Sequence, residues 1–126
     1  MKESFLDGKA VLAVDDEPDV LRVLREEIEN ASPSCQFDEA STYDEAARKL
    51  QSGTYDVVIL DIMGVDGYKL LELAKEKKII PVMLTAHAFS VEGTVKSFKR
   101  GAASYIPKDE IAKIENLLIA VLEAKV

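Results

Sequence analysis

The chain has one cysteine, Cys35, and one histidine, His87. A single thiol closes no internal disulfide, and neither residue has a Cys or His partner at metal-site spacing, so a disulfide scaffold and a zinc centre are both excluded. Cys35 then reads as a small apolar residue in a strand. Long apolar runs are also missing. Nothing approaches the roughly 18 residues that span a bilayer, and the start "MKESFLDGK" lacks the apolar segment of a secretory signal. The expectation is a cytoplasmic protein that makes no membrane contact. Positive charge is scarce as well: 23 acidic residues face 16 basic ones, a net charge of −7. That balance opposes binding to nucleic acid or to anionic lipid.

What is present is a soluble composition, 48% hydrophobic and 31% charged, over 126 residues. This length suits one domain with a real core and is too short for two of ordinary size. There is no repeat, low-complexity tract or linker. Apolar runs alternate with segments of helical period, the mark of an α/β domain on a parallel sheet. The runs are "AVLAV" (10–14), a weaker "CQF" (35–37), "VVIL" (57–60), "IPVML" (80–84) and "SYI" (104–106). Runs this apolar suit strands covered on both faces.

The helices between them carry their own punctuation. Val20, Leu21, Leu24 and Ile28 share one face of 18–30, which Pro18 is placed to open. Thr42 and Glu45 form a capping-box pattern, and Gly53 is placed to close that helix. Residues 67–78 carry Leu70, Leu71 and Ala74 on one face and end in lysines, which suit a helix C-terminus. Residues 88–100 make a poorer helix, with Gly93 inside and Val91, Thr94 and Val95 β-branched. Residues 110–124 place Ile111, Ile114, Leu118, Val121 and Leu122 on a core stripe; Leu117 and Ile119 fall outside it and suggest a second, exposed apolar surface. Lys75, Lys77, Lys78, Lys96, Lys99 and Arg100 read as solvated faces.

Functional groups of a parallel α/β sheet gather at the carboxyl ends of its strands. Asp15 and Asp16 follow the first apolar run, Asp61 ends the third, Thr85 ends the fourth and Lys108 comes just after the fifth. All five fall on one edge. Crowded carboxylates repel and raise one another's pKa unless a cation compensates, and a hard divalent ion, Mg²⁺ first, suits oxygen donors of this kind. With part of the charge neutralised, one Asp can attack phosphorus while Lys108 pairs with phosphoryl oxygens. Asp16 or Glu17 could instead simply cap the first helix.

The ordered set "DDE", "LDIM…DGY", "LTA" and "YIPK" resembles the receiver domain of two-component response regulators over nearly the whole chain. The resemblance implies a doubly wound (βα)5, flavodoxin-like, three-layer fold with strand order 2-1-3-4-5, here as a single receiver over 1–126 with no output domain. It makes Asp61 the phosphoacceptor, with Asp15, Asp16 and Asp61 around Mg²⁺ and Asp15 acting mainly through water. The Met63 backbone carbonyl would be a further metal ligand. Thr85 through its hydroxyl and Ala86 through its N–H would contact the phosphoryl group, and Lys108 would form the ion pair. Tyr105 matches the family's switch aromatic, and 86–105 is the expected moving surface. His87 reads as solvent-facing, at most a tuner of hydrolysis.

The implied partners are a histidine kinase or phosphotransfer protein and a downstream protein target, with a homodimer through the fourth helix, fifth strand and fifth helix worth testing. Such a protein is a phosphoacceptor that catalyses its own phosphorylation and dephosphorylation, not an ordinary enzyme. The alternative is a binding module of the same fold that does not cycle phosphate. An aspartate-nucleophile phosphatase would carry a second Asp where Met63 stands. Two departures from the family pattern stand out. Gly67 follows Asp61 by only six places, so the loop is shortened by two residues and Gly64 replaces the usual proline. Asp109 follows Lys108 where the family usually has proline, so a cis bond there, costing about 3–4 kcal/mol, is disfavoured.

Overall fold

The structure, a computed structural model, describes residues 5–85 and 91–125, and the side chains of all of these except 91–94 and 125. Five strands alternate with five helices: β1 (Ala10–Val14), α1 (Pro18–Ala31), β2 (Gln36–Ala40), α2 (Tyr43–Ser52), β3 (Val57–Asp61), α3 (Gly67–Glu76), β4 (Ile80–Thr85), α4 (Val91–Lys99), β5 (Ser104–Pro107) and α5 (Ile114–Lys125). A 3₁₀ helix over Lys108–Lys113 leads into α5. All strand pairs are parallel, in the order β2-β1-β3-β4-β5. The expected doubly wound, flavodoxin-like architecture is therefore what forms.

The strands sort their side chains by the two-residue period of extended chain. Val11, Ala13, Val57, Ile59, Val82, Leu84 and Ile106 face one side, where they pack with Leu24 and Ile28 of α1 and Ile114 and Leu118 of α5. Leu12, Val14, Val58, Leu60, Met83 and Tyr105 face the other, against Leu50 of α2 and Leu70 and Leu71 of α3. Both faces are dry, which is why β1, β3 and β4 read as unbroken apolar runs. Because the strands are parallel, every carboxyl end lies on one edge. The order reverses between β1 and β3, the switch point at which open parallel sheets of this kind form a crevice.

Several local details differ from expectation. β2 begins one residue after Cys35 and runs on through Asp38 and Glu39. An edge strand tolerates those charges because they are met laterally: Arg25 bonds Glu39 at 2.9 Å and lies over the Phe37 ring, and Lys49 bonds Asp38 at 2.9 Å. Thr42 caps α2 as expected, accepting from the Glu45 N–H, but the Glu45 carboxylate accepts from Ser41 N–H, one residue further back than a capping box requires. Gly53 ends α2 at φ −93, not in the left-handed region. Its lack of a side chain matters because a Cβ would fall 2.5 Å from the Tyr55 ring.

α3 stops at Glu76, and Lys78, at φ 60, turns the chain into β4. In α5 the stripe of Ile114, Leu118 and Leu122 is buried, with Ile111 buried in the 3₁₀ turn before it. Leu117 and Ile119 are half-buried against the same core, so the proposed second apolar surface is smaller than the sequence suggested. Among the described residues no helix is long and apolar enough to cross a membrane.

Candidate functional site

Asp15 directly follows β1, and its N–H donates to the Ala40 carbonyl, extending the sheet ladder by one residue. The carboxylate is held in the crevice with no exposure to solvent. Asp61, the last residue of β3, is 3% exposed beside it. Asp16 is exposed, and the three residues offer carboxylate oxygens that lie within 4.8 Å of one another. Lys108, the first residue after β5, reaches across with Nζ 3.0 Å from Asp15 Oδ2 and 3.4 Å from Asp61 Oδ1.

One ammonium cannot balance this much negative charge. Burial, then the neighbouring Asp15, push the Asp61 carboxyl up to about 6 against the attraction of Lys108. Burial likewise raises Asp15, although Oδ1 accepts the Glu17 N–H at 2.8 Å. Burial works to lower Lys108, but the neighbouring carboxylates of Glu17 and then Asp15 outweigh it and hold the ammonium above its ordinary value. Asp15 Oδ2 has Lys108 as an ion-pair partner, yet it is buried and accepts no hydrogen bond of ordinary geometry. An under-satisfied buried carboxylate oxygen in a group of three acids fits a hard divalent cation.

The short loop after Asp61 closes against this cluster. Ile62 N–H donates to the Leu84 carbonyl at 3.1 Å, and Gly67 N–H folds back to the Ile62 carbonyl at 3.3 Å. Gly67 is required by its close approach to backbone, and Gly64 is favoured by its positive φ. A Cβ on Gly64, where φ is +87, would lie 2.6 Å from Asp16 Oδ2, and one on Gly67 would lie 2.2 Å from the Asp61 carbonyl oxygen. Met63 sends its side chain into solvent, 73% exposed. The loop backbone lies against the acids, Gly64 beside the Asp16 carboxylate and Gly67 beside the Asp61 carbonyl.

Thr85 closes β4 at 9% exposure, one place beyond Leu84, which is in register with Asp61. Tyr105 on β5 is in register with Met83 and is 7% exposed, packed inward among Val65, Met83 and Ala102. The described residues contain no cis peptide bond, so the Lys108–Asp109 bond is trans.

The family model for the response regulator receiver domain matches residues 11–121. The chain belongs to that family. It is 31% identical over 115 residues to the transcriptional regulatory protein ResD of Bacillus subtilis (strain 168), an alignment covering 86% of this chain and 47% of ResD. It is 34% identical over 124 residues to the two-component response regulator ARR10 of Arabidopsis thaliana, covering 91% of this chain and 21% of that protein. This receiver thus spans about half or less of the curated relatives it matches. Among solved structures it resembles a CheY-like receiver domain protein from Methanospirillum hungatei JF-1, with a TM-score of 0.75, 25% identity and coverage of 94% and 98% of the two chains. A signal receiver domain from Vibrio parahaemolyticus has the same fold, with a TM-score of 0.81 at 18% identity, covering 92% of this chain and 91% of that one.

Of the residues singled out in the sequence, Asp15, Asp16, Asp61 and Lys108 come together in this receiver, with Thr85 on the same edge. Ala86 and His87 lie outside the described residues, as does the start of the segment 86–105. Sequence reasoning missed one partner. Glu17, considered only as a cap for α1, sits at the N-cap position but makes no side-chain cap; its Oε1 is 2.6 Å from Lys108 Nζ. The available signal was "DDE" itself, a third acid in a row facing a lone lysine.

Proposed function

We propose that this receiver accepts a phosphoryl group on Asp61 and passes the signal on through protein contacts. The observation that carries the reading is the convergence of Asp61, Asp15, Asp16 and Lys108 in the crevice between β1 and β3. The donor is the phosphohistidine of a kinase or phosphotransfer protein, or a small acyl phosphate. An Asp61 carboxylate oxygen forms a bond to phosphorus as the bond from phosphorus to the leaving nitrogen or oxygen breaks, and the leaving group departs with the electron pair. Hydrolysis of the acyl phosphate by water then returns Asp61 and inorganic phosphate.

Asp61 must be ionised to attack, and burial beside Asp15 opposes that. Asp15, Asp16 and Asp61, with the Met63 carbonyl, would hold Mg²⁺, which when bound would supply positive charge to keep these groups ionised and to offset charge on the phosphoryl oxygens. Lys108 pairs with a phosphoryl oxygen from the β5 side. The Thr85 hydroxyl, at the end of the adjacent strand, and the Ala86 N–H donate to others. The new charge favours a conformer in which Thr85 and Tyr105 are drawn together, a population shift and not a new fold. The readout surface is α4, β5 and α5, where Val95 and Phe98 are 46% and 48% exposed. It serves a downstream protein or a second copy of the chain.

The test is incubation with Mg²⁺ and acetyl phosphate, followed by intact-mass measurement. One added phosphoryl group is expected, absent in Asp61→Asn. Wild-type protein that stays unmodified with acetyl phosphate and with a cognate kinase would leave only the phosphate-independent binding module.

A further inference from the structure

Lys108 Nζ has three carboxylates around it at unequal distances. Its shortest contact, 2.6 Å, is to Glu17 Oε1, ahead of Asp15 at 3.0 Å and Asp61 at 3.4 Å. The three acids also differ in freedom. Asp15 and Asp61 are buried in the crevice, whereas the Glu17 side chain is 58% exposed and can swing into water. Its backbone is the fixed part: Glu17 N–H donates to Asp15 Oδ1 at 2.8 Å, and its carbonyl accepts from Val20 and Leu21 in the first turn of α1. A carboxylate anchored at its base and free at its tip holds the one ammonium of the site.

We propose that Glu17 is a positioning residue for phosphoryl transfer: it holds Lys108 in the resting protein and gives it up to the phosphoryl group that arrives on Asp61. The inference rests on Asp61 being the acceptor. A Lys–carboxylate contact at a solvent-exposed carboxylate is weak, while a phosphoryl group brings about two negative charges and several acceptor oxygens. The ammonium therefore has reason to leave Glu17 when the phosphoryl group arrives, and Glu17 competes for it afterwards. Its effect is to slow uptake and to weaken the hold on the phosphorylated state.

Glu17 also adds negative charge at the mouth of the crevice, which by itself repels an anionic donor. Reach separates the two effects. Aspartate keeps the charge but is one methylene shorter, so it cannot make the contact to Lys108 from the same backbone position. The experiment compares wild type, Glu17→Gln and Glu17→Asp at fixed ionic strength. It measures the initial rate of phosphoryl uptake from acetyl phosphate with Mg²⁺, and the affinity for beryllofluoride with Mg²⁺ by calorimetry. Both variants are expected to show faster uptake and tighter beryllofluoride binding, each by roughly two- to fivefold. If Glu17→Asp matches wild type while Glu17→Gln is faster, Glu17 acts only as surface charge and the hand-over is wrong. Two variants that equal wild type or fall below it, with unchanged urea midpoints, also overturn it. Wild type that takes up no phosphoryl group at all overturns the acceptor assignment itself, an outcome distinct from the other two.

Discussion

Asp61 and Asp38 are the same residue type on the same sheet, and the protein treats them in opposite ways. Asp38, on edge strand β2, is fully provided for: Lys49 at 2.9 Å, the Tyr55 hydroxyl at 2.7 Å and the Glu39 N–H at 2.8 Å all donate to it. Burial would raise its carboxyl, but these donors prevail and hold it below the usual range. Tyr55 is pushed up to about 12, by burial and then by its bond to that carboxylate. Asp61, at the end of central strand β3, has less help and more company. It shares one lysine with Asp15 and Glu17, and its carboxyl is pushed up to about 6. The edge pair spends its charges on stability. The crevice keeps its charges short of partners, the condition under which a cation and a phosphoryl group bind with gain.

Replacing Asp61 tests that contrast hardest. Asp61→Asn is expected to abolish phosphoryl uptake and yet to make the metal-free protein more stable at pH 7, by about 2–3 kcal/mol. The sign follows from the raised pKa. A carboxyl that binds its proton more tightly when folded contributes stability that is fully present below the unfolded value of 3.8 and is lost as pH rises through about 6. Urea unfolding in a chelator, followed from pH 4 to 7, should show wild type losing stability across this window and Asp61→Asn losing less. A variant less stable than wild type at pH 7 would show that Lys108 already satisfies Asp61.

The loop glycines sharpen the comparison at its weakest side. Gly64 and Gly8 both have positive φ, +87 and +75, but a Cβ on Gly8 meets nothing within 4 Å whereas one on Gly64 meets all three atoms of the Asp16 carboxylate group. Alanine at either site should cost about 1 kcal/mol from backbone strain. Only Gly64→Ala should also weaken Mg²⁺ binding, by about tenfold, because Asp16 has to move. Titration of both variants with Mg²⁺ reads the difference directly. Equal affinities would mean that Asp16 swings clear without cost.

Much of this was legible before any coordinates. β1, β3 and β4 are buried on both faces, and that burial is written in unbroken apolar runs; parallel strands then oblige Asp15, Asp61, Thr85 and Lys108 to share an edge. β2 was less readable because its charges are satisfied by side chains from α1 and α2, a tertiary fact with no local signature. The same holds for Glu17 and Lys108, which are 91 residues apart in sequence. Gly64 announced a freer backbone, and the two-residue shortening was visible by count. Neither revealed that the loop lies on the Asp16 carboxylate, since that depends on where α1 holds Asp16. The 3₁₀ turn ahead of α5 escaped because Ile111 continues the apolar stripe of the helix that follows.

The satisfied end of the comparison predicts the smallest effect and the opposite pH dependence. Asp38→Asn removes the ion pair with Lys49 and weakens the hydrogen bond from Tyr55. Because the Asp38 side chain is 43% exposed, water screens the loss, which should be about 1 kcal/mol at pH 7. A carboxyl held below its ordinary value contributes stability above the unfolded value of 3.8 and loses it as pH falls through the lower, folded one. The gap between wild type and Asp38→Asn should therefore be flat from pH 7 to 5 and close below about pH 4, whereas the advantage of Asp61→Asn fades as pH falls from about 6 and is already gone there. Phosphoryl uptake should be unchanged, since β2 lies on the far side of β1 from Asp61. An Asp38→Asn protein with slowed uptake would mean that the edge network also sets the position of Asp15, through the Asp15 N–H bond to Ala40 at the end of β2.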